Sequence, residues 1–295
     1  MRLVTFATAP GAAWRTGVRT DAGIVDVLAV HAASPVADWA PTPDAVMAHG
    51  SAGNATLAAL VAKAASVPGS VLSAASVTLG PVVPAPQKII AIGLNYRKHA
   101  AESGMAIPEF PIAFNKFNNA LAASGETVTI PKVTQKADYE VELAVIIGKK
   151  ATAISEDVAL DHVWGYATAN DLSARDLQFR TAQWMLGKTL DGFLPLGPDL
   201  VTTDEIPDPQ TLPLRTWLNG ELRQDSTTAD MIFSVAQLVS YCSHYFTLTP
   251  GDVMITGTPA GVIAGMKEPV WLKGGDRVVV EVVGLGQLET SFVAE

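Results

Sequence analysis

Glu140 and Glu142 stand two residues apart in the stretch Lys136–Gly148, KADYEVELAVIIG, with Asp171 downstream. Strict alternation reads this stretch as a β-strand, with Tyr139, Val141, Leu143 and Val145 on one side and both glutamates on the other. Side chains at i and i+2 of a strand lie about 7 Å apart, so the two carboxylates can converge on one ion. Oxygen ligands of this kind suit a hard divalent cation, Mg²⁺ or Mn²⁺. The competing reading is a glutamate pair on the solvated face of an edge strand. Glutamate is disfavoured in strands, however, and Ala144 and Ile146 on the same side are apolar. That face therefore reads as buried, and two buried charges need a partner.

His99 and Glu102 form a second pair, in NYRKHAAESG, which reads as a helix following a buried strand Ile89–Ile92 and a turn at Gly93. The i, i+3 spacing puts imidazole and carboxylate on one helix face, as it would for an exposed ion pair. Asp171 ends a strand Trp164–Asn170 and opens a helical turn, LSARDLQF, where it is either an N-cap or a site acid. Arg175 and Gln178 follow it at i+4 and i+7, so acceptor and donors can line one pocket. Trp184 reads as core, with stacking on a substrate as the alternative. His162 and His244 have no partner at ligand spacing, and no G-x-S-x-G supplies a serine nucleophile.

These groups need a scaffold, and the chain has material for one. Its 295 residues are 48% hydrophobic and 17% charged, the composition of a globular chain, with no apolar run of membrane-spanning length. A formal charge of −9 carries no electrostatic footprint for nucleic acid or an anionic membrane, which leaves a small molecule as the expected partner. The start, MRLVTFATAPGAAW, breaks at Pro10-Gly11 and reads as a strand rather than a secretory signal. The single cysteine, Cys242, excludes an internal disulfide, suits a reducing cytoplasm and reads as core filling.

Short strands at Arg2–Thr8, Trp14–Arg19 and Ile24–Ala29, then helices at Pro43–His49 and Asn54–Ala65 with Asn54 as N-cap, make residues 1–76 a small α/β domain. A proline-rich linker, 77–87, leads to a mostly β domain, 88–295. There, strands at Phe114–Phe117 and Thr127–Ile130 precede the glutamate strand. A hairpin crosses Asn219-Gly220, a helix spans Met231–Phe246, and strands close the chain at Asp252–Thr256, Arg277–Val283 and Gln287–Phe292. The fold class is α+β, predominantly β.

Five ordered motifs, NYRKHAAESG, DYEVELAVIIGK, YATANDLSARDLQ, GKTLDGFLPLGP and LTPGDVMITGTPAGV, resemble those of the fumarylacetoacetate hydrolase family from about Lys88 onward. Within it the chain is most similar to the bacterial branch of acylpyruvate and diketo sugar-acid hydrolases, oxaloacetate decarboxylases and homoprotocatechuate-pathway isomerases. The resemblance implies a mixed β-sandwich roll, a homodimer, and Glu140, Glu142 and Asp171 as ligands of Mg²⁺ or Mn²⁺. It further implies that His99 and Glu102 form a base dyad on a lid. Arg175, Gln178 and Lys188 would contact substrate, and Thr258 would help hold a carboxylate. The chain departs from the family pattern at Phe117-Asn118-Asn119 and Met185-Leu186, which argues against a sugar-acid substrate if those residues line the pocket.

The expected reaction is C–C hydrolysis of a 2,4-dioxo acid to a 2-oxo acid and a carboxylic acid. Water is activated by His99 and Glu102, and Lys188, Arg175 and Gln178 support the developing negative charge. Decarboxylation of oxaloacetate and tautomerisation of a hydroxymuconate-like diacid use the same groups. A metal-dependent 2-oxo acid binding protein is the non-enzymatic alternative.

Overall fold

The computed structural model describes residues 1–295 and is mixed α/β with more strand than helix, as the sequence implies. A 12-stranded sheet forms the larger layer. Its order runs Val71–Leu72, Gly23–Asp26, Arg15–Thr20, Arg2–Ala7, Leu194–Thr202, Val163–Asn170, Val141–Ile147, Val253–Ile255, Ile89–Gly93 and Ile112–Lys116, with two short strands off this path. A five-stranded sheet packs against it: Glu221–Thr227, Pro213–Leu218, Arg277–Val282, Gly286–Ala294 and Thr127–Ile130.

The glutamate strand is buried along its whole length, which alternation alone left open. Val141, Leu143 and Val145 join a core with Leu214, Val280 and Leu288 of the smaller sheet and with the helix Val235–Ser243. Ala144 and Ile146, on the opposite side, join a second core with Leu3, Val18, Leu57 and Leu60. The first strand, Arg2–Ala7, pairs antiparallel with Leu194–Thr202, so the N-terminal residues extend the sheet that carries the glutamates.

Several boundaries differ from those read in the sequence. Lys136–Gly148 is two strands, Ala137–Asp138 and Val141–Ile147, because Ala137–Asp138 leaves the large sheet to pair with Ser173–Ala174. Ile24–Ala29 is a strand only to Asp26, whose carboxylate accepts from Ala29 N and caps a helix Val27–Ala33. Asn54 is the first residue of its helix rather than the cap, and its Oδ1 accepts from Trp164 Nε1 at 2.8 Å. The helix expected over Met231–Phe246 is Val235–Ser243, started by a Ser234/Gln237 capping box. No helix is long and apolar enough to cross a membrane.

Candidate active site

Antiparallel pairing brings the three acids together. Val141 lies opposite Asn170, and one step further on Asp171 N donates to Glu140 O at 2.9 Å, so Asp171 faces Glu140 across adjoining strand ends. Asp171 is not in a helical turn: the helix begins at Arg175, after the strand Ser173–Ala174. Its carboxylate caps nothing and instead accepts from Lys116 and Lys188. Carboxylate oxygens of Glu140, Glu142 and Asp171 lie within 4.8 Å of one another, and all three residues are buried.

Each acid is held by a different set of donors. Glu140 meets Arg175 Nη2 at 2.6 Å and Lys188 Nζ at 2.6 Å. Burial raises its pKa, but the neighbouring Arg175 and Lys188 charges outweigh burial and bring it down to about 2. Glu142 accepts one hydrogen bond, from Gly257 N at 2.6 Å. Burial, then repulsion from Asp171 and Glu140, pushes its carboxyl well above the ordinary range. Gly257 makes this contact with φ +94°, a conformation that favours glycine, and a Cβ there would sit 2.8 Å from Asn95 Cβ.

A fourth acid, Asp138, accepts from Arg175 Nε at 2.8 Å and from Ile263 N and Ala264 N at 2.8 and 3.0 Å. It fixes the guanidinium that reaches Glu140. With all four ionised, Asp138, Glu140, Glu142 and Asp171 would exceed the three buried cations Lys116, Arg175 and Lys188 by one negative charge, an excess that a proton on Glu142 or a bound cation removes. Clustered hard oxygen donors, surplus charge and a carboxyl forced toward its protonated form are what a divalent cation would relieve, so these residues fit one.

His99 and Glu102 lie on the helix Arg97–Glu102, with His99 Nδ1 3.2 Å from Glu102 Oε2. Glu102 Oε1 also accepts from Gly261 N at 2.9 Å, which docks the helix on the segment carrying Thr258. The contact with Glu102 leaves Nε2 as the free nitrogen of an imidazole that lines the pocket. Gln178 Oε1 accepts from Arg175 Nη1 at 2.9 Å, and Gln224 Nε2 donates to Thr258 Oγ1 at 2.9 Å.

One cavity of about 340 Å³ gathers His99, Glu140, Glu142, Asp171, Arg175, Gln178, Lys188 and Thr258. Among the sequence-derived candidates only Glu102 stands behind the lining, touching His99. Lys116 and Asp138 were not singled out by sequence. Asp138 shares the alternation parity of Glu140 and Glu142, which was a usable signal, whereas nothing local marks Lys116. Trp184 lines the cavity rather than filling a core. The divergent residues Phe117–Asn119 and Met185-Leu186 do not line it, so they do not bear directly on substrate choice. Asn119 instead bonds the loop at Thr189 O and Asp191.

A family model described as fumarylacetoacetate (FAA) hydrolase C-terminal matches residues 88–293. An oxaloacetate tautomerase, fahd2, mitochondrial, of Xenopus laevis is 45% identical over 225 residues, 76% of this chain and 70% of that one. Among solved structures, the 5-carboxymethyl-2-hydroxymuconate delta-isomerase of Mycobacterium smegmatis is 31% identical with a TM-score of 0.75, covering 100% of this chain and 99% of its own. The maleylpyruvate hydrolase of Sphingobium sp. SYK-6, in complex with manganese (II) and pyruvate, is 30% identical with a TM-score of 0.78, again covering 100% and 99%.

Proposed function

Because the chain belongs to the fumarylacetoacetate hydrolase family, we propose that it is a divalent-metal-dependent enzyme that cleaves a C–C bond in a 2,4-dioxo acid. The observation that carries this reading is a three-carboxylate cluster sharing one cavity with His99, whose ring Glu102 backs from behind the lining. A divalent cation held by Glu140, Glu142 and Asp171 would supply Lewis acidity toward the substrate's carboxylate and 2-oxo oxygen. Manganese is the ion named with the Sphingobium hydrolase, and magnesium suits the same oxygen ligands.

The chain's own groups account for the remaining steps. Thr258 Oγ1 already accepts from Gln224, so its hydroxyl hydrogen is free to donate to the substrate carboxylate. His99 Nε2 takes a proton from water, while Glu102 orients the ring and stabilises the imidazolium. The hydroxide attacks the distal carbonyl, the bond between that carbon and C3 breaks, and its electron pair passes into a pyruvate-type enolate. Lys188 and Arg175 lie beside the acids that would hold the metal, where their positive charge offsets that of the enolate. Return of the proton from His99 to C3 completes the 2-oxo acid and regenerates the base.

Keto–enol tautomerisation of oxaloacetate is the second reading, favoured by the 45% identity to the Xenopus tautomerase. It uses the same base to move a proton at C3 and needs no attacking water. Decarboxylation, by contrast, has no task for the His99 pair. A homodimer and a cytoplasmic location belong to this proposal, the latter supported only by a single buried free cysteine, which calls for no oxidising compartment.

A panel of acylpyruvates and oxaloacetate, run with Mn²⁺ and then with EDTA, separates the readings. Hydrolysis releases pyruvate from acylpyruvates, whereas tautomerisation changes only the enol absorbance of oxaloacetate. Turnover unaffected by EDTA, or absent with every compound, would overturn the proposal.

A further inference from the structure

We propose that the cavity outside its carboxylate cluster takes an uncharged, apolar chain, so that the substrate is a 2-oxo acid ending in an alkyl or aryl group and not in a second carboxylate. This rests on the C–C hydrolase reading of the site and narrows its substrate class, setting aside oxaloacetate, which carries a second carboxylate.

The first argument is charge. Both the lysine and the arginine of the cavity lining are drawn to its carboxylate cluster: Arg175 pairs with Asp138 and Glu140, and Lys188 with Glu140 and Asp171, so neither is spare for the far end. Arg97, on the helix with His99, donates to the carbonyls of Asp230 and Met231. A second carboxylate away from that cluster would lose water and find no lysine or arginine to replace it. Arg180 is exposed and follows Phe179 in sequence, but it does not line the cavity.

The second argument is the lining itself. Leu94, Met105, Phe114, Phe179, Trp184 and Val262 come from five separate segments and present apolar surface to the same space. Trp184 and Phe114 pack edge to face, with centroids 5.6 Å apart, as one wall. Gly93 makes room for that wall, since a Cβ there would stand 2.3 Å from the Trp184 ring. Leu94 holds φ +52°, costly for a bulky side chain, and is only 8% exposed. At the mouth, Met105 and Phe179 remain 46% and 63% exposed, apolar area that an apolar ligand would take out of water.

The test is calorimetric binding of 2-oxo acids that have no cleavable bond to the Mn²⁺-loaded protein, so it reads recognition and not turnover. Pyruvate, 2-oxobutanoate, 2-oxopentanoate and 2-oxohexanoate should tighten by about fourfold per methylene. 2-Oxohexanoate should bind at least about tenfold more tightly than 2-oxoadipate, which has as many carbons but a terminal carboxylate. Trp184→Ala should bring 2-oxohexanoate down toward pyruvate. Phe179→Arg, at an exposed position that folding tolerates, should reverse the order of the six-carbon pair. Arg180→Ala should change neither ligand. Equal or tighter binding of 2-oxoadipate by the wild type, or a tenfold loss of 2-oxoadipate in Arg180→Ala, overturns the apolar assignment alone. Failure of pyruvate itself to bind overturns the 2-oxo acid reading and this one with it.

Discussion

Lys116 Nζ lies 2.5 Å from Asp171 Oδ1, with both side chains fully buried, while Lys188 Nζ holds the other oxygen of the same carboxylate at 2.8 Å. Lys116 therefore positions a proposed metal ligand through the oxygen that Lys188 does not hold. Burial pulls Lys116 below the usual lysine range although Asp171 opposes this, so the pair stands on its geometry and not on solvent. Lys116→Met leaves Asp171 with an uncompensated oxygen and should cost about 3–5 kcal/mol without metal. Mn²⁺ should restore more of the melting temperature in the variant than in the wild type, as thermal unfolding with and without the ion will show. Equal shifts in the two proteins would remove Lys116 from the account of the site.

Glu142 is the one acid of the cluster whose carboxylate no cationic side chain pairs. Glu142→Gln keeps the shape and the Gly257 N–H contact but removes a charged ligand. Mn²⁺ affinity should fall by at least about 10- to 100-fold, the scale seen when groups supporting a metal are removed. A titration isotherm that overlays the wild type would count against the ligand set.

The raised pKa of Glu142 has a definite sign in pH. A carboxyl raised in the folded state binds its proton more tightly there than in the unfolded chain. The metal-free protein should therefore lose stability as pH rises from the ordinary carboxylate range toward the folded value. Glu140, lowered to about 2, acts oppositely: its contribution is present above its unfolded value and is lost as pH falls toward 2. Where Glu142 carries its proton, metal binding displaces it, so Mn²⁺ affinity should rise with pH, by up to about tenfold per unit below that pKa. Calorimetry in two buffers of different ionisation enthalpy measures the released proton, and none released would contradict this picture.

His99→Ala removes the base and touches no carboxylate of the cluster. Turnover should fall about 10²- to 10⁴-fold while Mn²⁺ binding stays near that of the wild type. Wild-type turnover on acylpyruvates and oxaloacetate alike would end the assignment of His99 and Glu102.

The glutamate strand was legible because alternation fixes which residues share a face, and its two faces do meet two different cores. The helical spacing of His99 and Glu102 likewise produced the contact it implied. Asp171 was found but its setting was misread, since the turn LSARDLQF starts with a short strand whose partner, Ala137–Asp138, lies more than thirty residues earlier. Lys116 stayed hidden for the same reason: its partner is 55 residues away, and the strand around it shows no feature that separates a buried lysine from an exposed one. Local periodicity reports on faces, and long-range pairing decides which faces meet.

The hydrogen bonds between Arg2–Ala7 and Leu194–Thr202 bear on how the molecule can be dissected. A chain starting at residue 88 would keep every acid and base named above, yet it would bare the edge of Leu194–Thr202 and strip Ala144 and Ile146 of their covering. Raw edges and bare apolar faces invite self-association, so such a fragment should aggregate rather than report on catalysis.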